Sequence, residues 1–181
     1  MTLQDITAPG QSCVLTDEVF IKQLKRLFSM AHKTIDITTF KLEAGTCFKN
    51  AHAKRLFLTI SEARARGVKI RIIVNWRSDK KGVPRTNDVS SHELQKVGCD
   101  CFYVSSGRCQ HSKIILIDDE LAIIGSHNLS VRSLTSNAEA SVALSRPEDL
   151  QNLRKYFETL LKSCVQFSTI SDTSKARSKR G

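Results

Sequence analysis

The chain has 181 residues, 40% of them hydrophobic, and a formal net charge of +10. That length suits one domain with a sizeable core, and no apolar run approaches the roughly 20 residues of a membrane-spanning helix. Stable membrane insertion is therefore not expected, and the excess of 28 Lys and Arg over 18 Asp and Glu favours a polyanion, either nucleic acid or an anionic membrane face.

Residues 1–13 read as a polar N-terminal segment without the apolar stretch of a signal peptide, and a cytoplasmic location is expected. Residues 14–167 read as one domain. A helix is expected from Thr16 and Asp17, with Val19, Phe20, Leu24, Leu27 and Phe28 as its apolar stripe. Residues 34–40 alternate as a strand, residues 50–66 form a helix ended by Gly67, and the β-branched run 68–74 is a strand. Residues 75–88 read as a loop broken by Gly82 and Pro84. This loop follows the end of a strand, where α/β proteins place ligand-binding segments. Its Arg77, Lys80, Lys81 and Arg85 are therefore expected to contact substrate phosphates. A short helix over 90–97 and a strand over 100–104 lead to an apolar hairpin. After it come a polar turn at 130–137, a strand over 139–144 and a helix over 147–165 with Pro in its first turn. Residues 168–181 read as a basic, disordered tail. Helix–Gly–strand order marks an α/β domain, here a mixed β-sheet flanked by helices on both faces. None of the six cysteines forms a C-x-x-C pair, so free thiols in a reducing compartment are expected.

The hairpin carries His111, Lys113, Asp118, Gly125, Ser126 and Asn128 in the pattern H-x-K-x4-D-x6-G-S-x-N. At average residue usage these six identities coincide in roughly 10⁻⁸ of windows. With Asp119-Glu120 as a two-residue turn, Asp118 would face Leu121, Lys113 would face Ser126 and His111 would face Asn128. Alternation puts His111 and Lys113 on one strand face, so the four polar groups would converge. They comprise a nucleophile-grade imidazole, an ammonium, a hydroxyl and a carboxamide, the groups that phosphodiester chemistry without a metal requires. The acidic cluster of a two-metal nuclease is missing, because Asp118, Asp119 and Glu120 are contiguous. No metal site and no cofactor are expected.

This motif resembles the signature of the phospholipase D superfamily, and the chain looks like its single-motif, nuclease-like members. The upstream strand–helix–strand layout is similar to the family over about residues 14–166, although the likeness is specific only between 111 and 139. The resemblance implies that Glu139 orients a His111 ring and that Asp118 is structural. Gly125 allows close backbone approach.

One motif supplies one histidine. Phosphodiester cleavage needs a nucleophile, a proton for the leaving oxygen and positive charge on the non-bridging oxygens. The resemblance implies a homodimer with a composite active site, in which one His111 forms a phospho-histidine and the other acts as the acid. Lys113, Asn128 and Ser126 would hold phosphate oxygens. The leading expectation is a metal-independent endonuclease acting on DNA or RNA. The alternatives are a phospholipase D or phosphatidyl transferase acting on lipid, and a nucleic-acid-binding subunit with a silent site.

Overall fold

The computed structural model describes residues 10–76, 83–104 and 108–167. Arg77, Lys80, Lys81 and the expected tail at 168–181 lie outside the described residues. One eight-stranded mixed sheet organises the rest. Its strands are β1 (Ser12–Thr16), β2 (Thr34–Thr39), β3 (Lys69–Val74), β4 (Asp100–Val104), β5 (Ile114–Ile117), β6 (Leu121–Gly125), β7 (Ala140–Leu144) and β8 (Cys164–Gln166). They lie in the order β1-β7-β6-β5-β2-β3-β4-β8. The pairs β2–β3 and β3–β4 are parallel and the remainder antiparallel.

The helices α1 (Asp17–Met30), α2 (Ala51–Ala65), α3 (Val83–Lys96) and α4 (Val131–Thr135) supply one face, and α5 (Pro147–Leu161) supplies the other. The period-two pattern explains the division. Ile35, Ile37, Ile70, Ile72, Ile115, Ile117 and Ile123 join Phe20, Leu24, Phe28, Leu56 and Ile60 in the larger core. Ile73, Ile114, Leu116 and Ala122 turn the opposite way and pack on Leu150 and Phe157 of α5. Burying each such side chain contributes roughly 1.5–3 kcal/mol. The expected mixed sheet with helices on both faces is what forms.

Polar side chains are built into both faces. Under α5, the fully buried Asp36 of β2 pairs with Arg71 of β3 at 2.6 Å and with Arg154 of α5. Arg71 also reaches Glu158 at 2.6 Å. On the other face, buried Asn87 of α3 accepts from Leu42 N–H at 2.8 Å and donates to the carbonyls of Phe40 and Asn75.

Helix α3 corrects the expected loop. It begins at Val83, so Arg85 stands exposed in a helical first turn. Proline is compatible with that turn. The expected helix over 90–97 is its second half; the inward positions include Asn87, Ser90 and Ser91 beside Leu94, so the first half carries little of the apolar periodicity that would extend it. The edge strands β1 and β8 were not expected. The C-terminal helix ends at Leu161, and 164–166 pair with β4 instead.

Candidate active site

The β5–β6 hairpin turns one residue earlier than its sequence suggests. Ile117, not Asp118, pairs with Leu121. Asp118 and Asp119 occupy the left-handed region at φ 54° and 59°, and Glu120 N–H donates to Ile117 O at 2.9 Å. This is a primed turn, which matches strand twist, and Asp tolerates the conformation better than most residues. The Asp118 carboxylate fixes it further by accepting the N–H groups of His32, Lys33 and Thr34 at 2.7–2.8 Å.

A one-residue shift exchanges the two faces of a strand. The polar groups converge even so, because most of them lie beyond the regular ladder. His111, Ser112, Lys113, Ile124, Gly125, Ser126, Asn128 and Glu139 line one open cleft of ≈ 450 Å³. The Lys113 ammonium donates to its neighbour His111 O at 2.5 Å and lies 3.2 Å from His111 Nδ1. The Phe40 ring backs both, 4.9 Å from the imidazole centroid and 5.6 Å from Lys113 Nζ. Burial holds the Lys113 pKa below its ordinary value, against the pull of Glu139.

Asn128 is oriented at its oxygen. Oδ1 accepts from Lys41 N–H at 3.1 Å and from Thr39 Oγ1 at 3.4 Å, and the Asn128 backbone N–H donates to Ser133 Oγ at 2.8 Å. Among the described residues Nδ2 has no partner, which leaves a fixed donor for a ligand oxygen.

Ser126 departs from its expected role. Its hydroxyl donates to Glu139 and accepts from Ala140 N–H at 3.1 Å, so its one proton is committed within the chain. Glu139 also accepts from Ser133 Oγ at 2.8 Å and Asn137 Nδ2 at 3.1 Å. Its own N–H donates to Asp17 Oδ1 at 3.0 Å, which fastens it to the start of α1. Burial pushes the Glu139 carboxyl up, but the hydrogen bonds from Ser126, Asn137 and Ser133 bring it below its ordinary value. No hydrogen bond joins Glu139 to His111 within the chain, in contrast to a simple orienting contact.

Gly125 sits where β6 and β7 nearly touch. A Cβ there would overlap Ser141 and come within 2.5 Å of Ala140 O. His127 points away from the cleft, as its place between Ser126 and Asn128 suggests. It stacks on Phe20 with centroids 3.9 Å apart and meets Ser141 Oγ at 2.8 Å. Arg85 is not among the residues lining the cleft. Sequence reasoning missed Phe40, Thr39, Ser133 and Gln110, all of which contact or brace motif residues and carry no spacing signal of their own. Among the described residues, no three His, Cys, Asp or Glu side chains converge as metal ligands. The six cysteines are all unpaired.

Comparison with known proteins follows the same lines. The fold and motif together define a phospholipase D-like domain. The family model described as "Cardiolipin synthase, PLD-like domain" matches residues 24–161, and the chain belongs to that family within the phospholipase D superfamily. It is 33% identical over 118 residues to cardiolipin synthase A of Buchnera aphidicola, covering 65% of this chain and 22% of that protein. The chain thus spans less than a quarter of that relative. Its fold is similar to Nuc, a phospholipase D family member of Salmonella typhimurium, with TM-score 0.71, 16% identity, and coverage of 86% of this chain and 98% of that one. It is also similar to TrmBL2, an archaeal chromatin protein whose structure shows a mode of DNA binding, with TM-score 0.57, 15% identity, and coverage of 86% and 52%.

Proposed function

We propose that the chain is a metal-independent phosphodiesterase whose nucleophile is His111. The carrying observation is the placement of His111, the Lys113 ammonium and the unpartnered Asn128 Nδ2 around one cleft. An imidazole nitrogen attacks phosphorus, an N–P bond forms, and the P–O bond to the leaving group breaks. Lys113 and Asn128 stabilise the charge on the non-bridging oxygens. The leaving alkoxide takes a proton from a second His111. That histidine then removes a proton from water, whose oxygen attacks phosphorus and releases the first histidine.

The second histidine comes from a second copy of the chain. The ammonium beside Nδ1 favours the neutral tautomer with its hydrogen on Nε2, which can neither attack nor act as the acid until another group meets Nδ1. A carboxylate at Nδ1–H would leave Nε2 bare, which suits the nucleophile. Glu139 is the carboxylate of the cleft and does not bond its own His111, so it is available to the second chain's ring. One surface feature supports pairing. On the α5 side of the sheet, Val14, Val142 and Ile124 form one cross-strand row. Val14 is 65% exposed and Ile124, at the cleft, is 39% exposed.

The substrate class has two readings. The cardiolipin synthases among the sequence relatives favour phosphatidyl transfer or lipid hydrolysis, which moves this reading ahead of the nucleic-acid expectation. The net charge of +10 and the fold shared with a DNA-binding chromatin protein favour nucleic acid as the second. Turnover in EDTA decides, using phosphatidylglycerol and phosphatidylcholine vesicles, single-stranded DNA, duplex DNA and RNA, with His111→Ala as control. Turnover of one class assigns the substrate. Binding to nucleic acid without turnover of any substrate would identify a silent-site binding subunit and reject the phosphodiesterase reading.

A further inference from the structure

We propose that Gln110 is a positioning residue for His111, its side-chain amide acting as a one-residue substitute for a strand partner. This rests on the reading of His111 as the nucleophile.

The regular ladder between β2 and β5 stops at Thr38 and Ile114. Ser112 lies two residues beyond it, where its backbone N–H and C=O have no strand opposite. Gln110 supplies both missing partners. Ser112 N–H donates to Gln110 Oε1 at 2.9 Å, and Gln110 Nε2 donates to Ser112 O at 3.1 Å. Ser112 Oγ donates to the same Oε1 at 3.0 Å. A primary amide offers one acceptor and one donor in the geometry of a peptide group. It thereby closes the 110–112 backbone into a small loop with His111 at its apex.

The loop is anchored on the buried side. Gln110 is only 3% exposed, and its N–H donates to buried Asn75 Oδ1 at 3.1 Å. Asn75 O in turn accepts from Asn87 Nδ2 at 2.6 Å, which ties the loop to α3. Ser112 Oγ meets Thr38 Oγ1 at 2.9 Å and Tyr156 OH at 3.3 Å, so β2 and α5 hold its other side. With both flanking residues fixed, the exposed imidazole has little freedom except at its own χ angles. A nucleophile displaced by about 1 Å can lose about a hundredfold in rate. Gln110 touches no substrate in this scheme and acts through His111.

Two variants test it. Gln110→Met keeps approximate volume and loses both bonds. With the near-ultraviolet circular dichroism retained, kcat for bis(p-nitrophenyl) phosphate should fall about tenfold or more while KM changes much less. The His111 imidazole ¹⁵N signals, assigned with His111→Ala, should move. Wild-type kcat together with unmoved ring signals would overturn the proposal. Gln110→Glu covers the case in which the first variant does not fold. A protonated carboxyl has one donor and one acceptor and mimics the amide, whereas the carboxylate has no donor. The rate of Gln110→Glu relative to the original chain should therefore rise as pH falls through the carboxyl's titration. A flat or falling ratio would count against Gln110. If His111→Ala keeps full turnover, the nucleophile assignment fails, and the ring signals still report whether Gln110 holds His111.

Discussion

The Asp118 carboxylate lies 2.7 Å from the Thr34 N–H, so the aspartate of the motif grips the start of β2 from the far side of the hairpin. It also accepts from His32 and Lys33 and holds φ 54°. Asp118→Ala should destabilise the fold by about 1–3 kcal/mol through three lost charge-assisted bonds and a left-handed alanine. Asp118→Asn, which keeps an acceptor and tolerates the conformation, should lose less. Urea denaturation measures both. Equal losses would show that the backbone conformation and the acceptor contribute little.

Glu139 should matter to the rate rather than to binding. Glu139→Gln keeps the side-chain volume but weakens the bonds to Ser126 and Ser133 and removes the charge near Lys113. The expected result is a lower kcat with KM changed much less. An unchanged turnover number would remove Glu139 from the chemistry.

The same carboxyl should shape acid stability. Its pKa is lowered in the folded chain. The stabilisation is therefore present above the unfolded carboxyl pKa and is lost as pH falls through the lower folded value. Glu139→Gln should flatten this part of the stability–pH curve in the acid limb and leave its slope near neutrality unchanged. Matching acid limbs in the two proteins would show that the hydrogen bonds do not favour the charged form.

A shared site makes a quantitative demand on mixed dimers. If both His111 rings are needed, a random equal mixture of original and His111→Ala chains should have about a quarter of the activity of the same total concentration of original chains, because only dimers of two intact chains work. Independent sites would leave half. Ile124→Asp, at the apolar row, should shift sedimentation towards monomer and lower turnover together. A fully active monomer at micromolar concentration would reject the composite site.

Any nucleic-acid binding should be strongly salt-dependent. Each phosphate neutralised releases counterions, with a log–log slope of about −0.9 per contact on duplex DNA and −0.7 on single strands. Removing residues 171–181, which include Lys175, Arg177, Lys179 and Arg180, should weaken binding and flatten the slope while sparing the saturated rate. Titration by fluorescence anisotropy at several salt concentrations measures this. Salt-insensitive or absent binding would leave lipid as the substrate class.

Much of this architecture is legible in the chain. The alternation in β2 and the β-branched run of β3 expose the central strands, and Gly67 marks the end of α2. The hairpin register differs from the one its sequence suggests because the turn is set by Asp118 side-chain bonds to residues 32–34, more than eighty positions away. Only the first half of α3 lies outside the expected helix over 90–97, because the buried residue there is Asn87, held by the backbone of Phe40 and Leu42 rather than by apolar packing. β1 and β8 are short edge strands, and they exist because β7 and β4 offer them partners. The spacing presents Ser126 as a free donor, whereas its hydroxyl is bonded to Glu139. The spacing of the motif identifies the cleft residues but does not reveal which of their atoms are already committed.

The charged cluster beneath α5 limits how this domain can be recombined. Asp36 and Arg71 come from adjacent parallel strands, and Arg154 and Glu158 from the last helix. A chimera that imports a foreign C-terminal helix would strand a fully buried aspartate against one arginine instead of two, and removing one partner of a buried ion pair typically costs about 3–5 kcal/mol. The helix and the strand pair beneath it are therefore inherited as a set, and a crossover point anywhere between residues 71 and 154 must carry compatible charges on both sides.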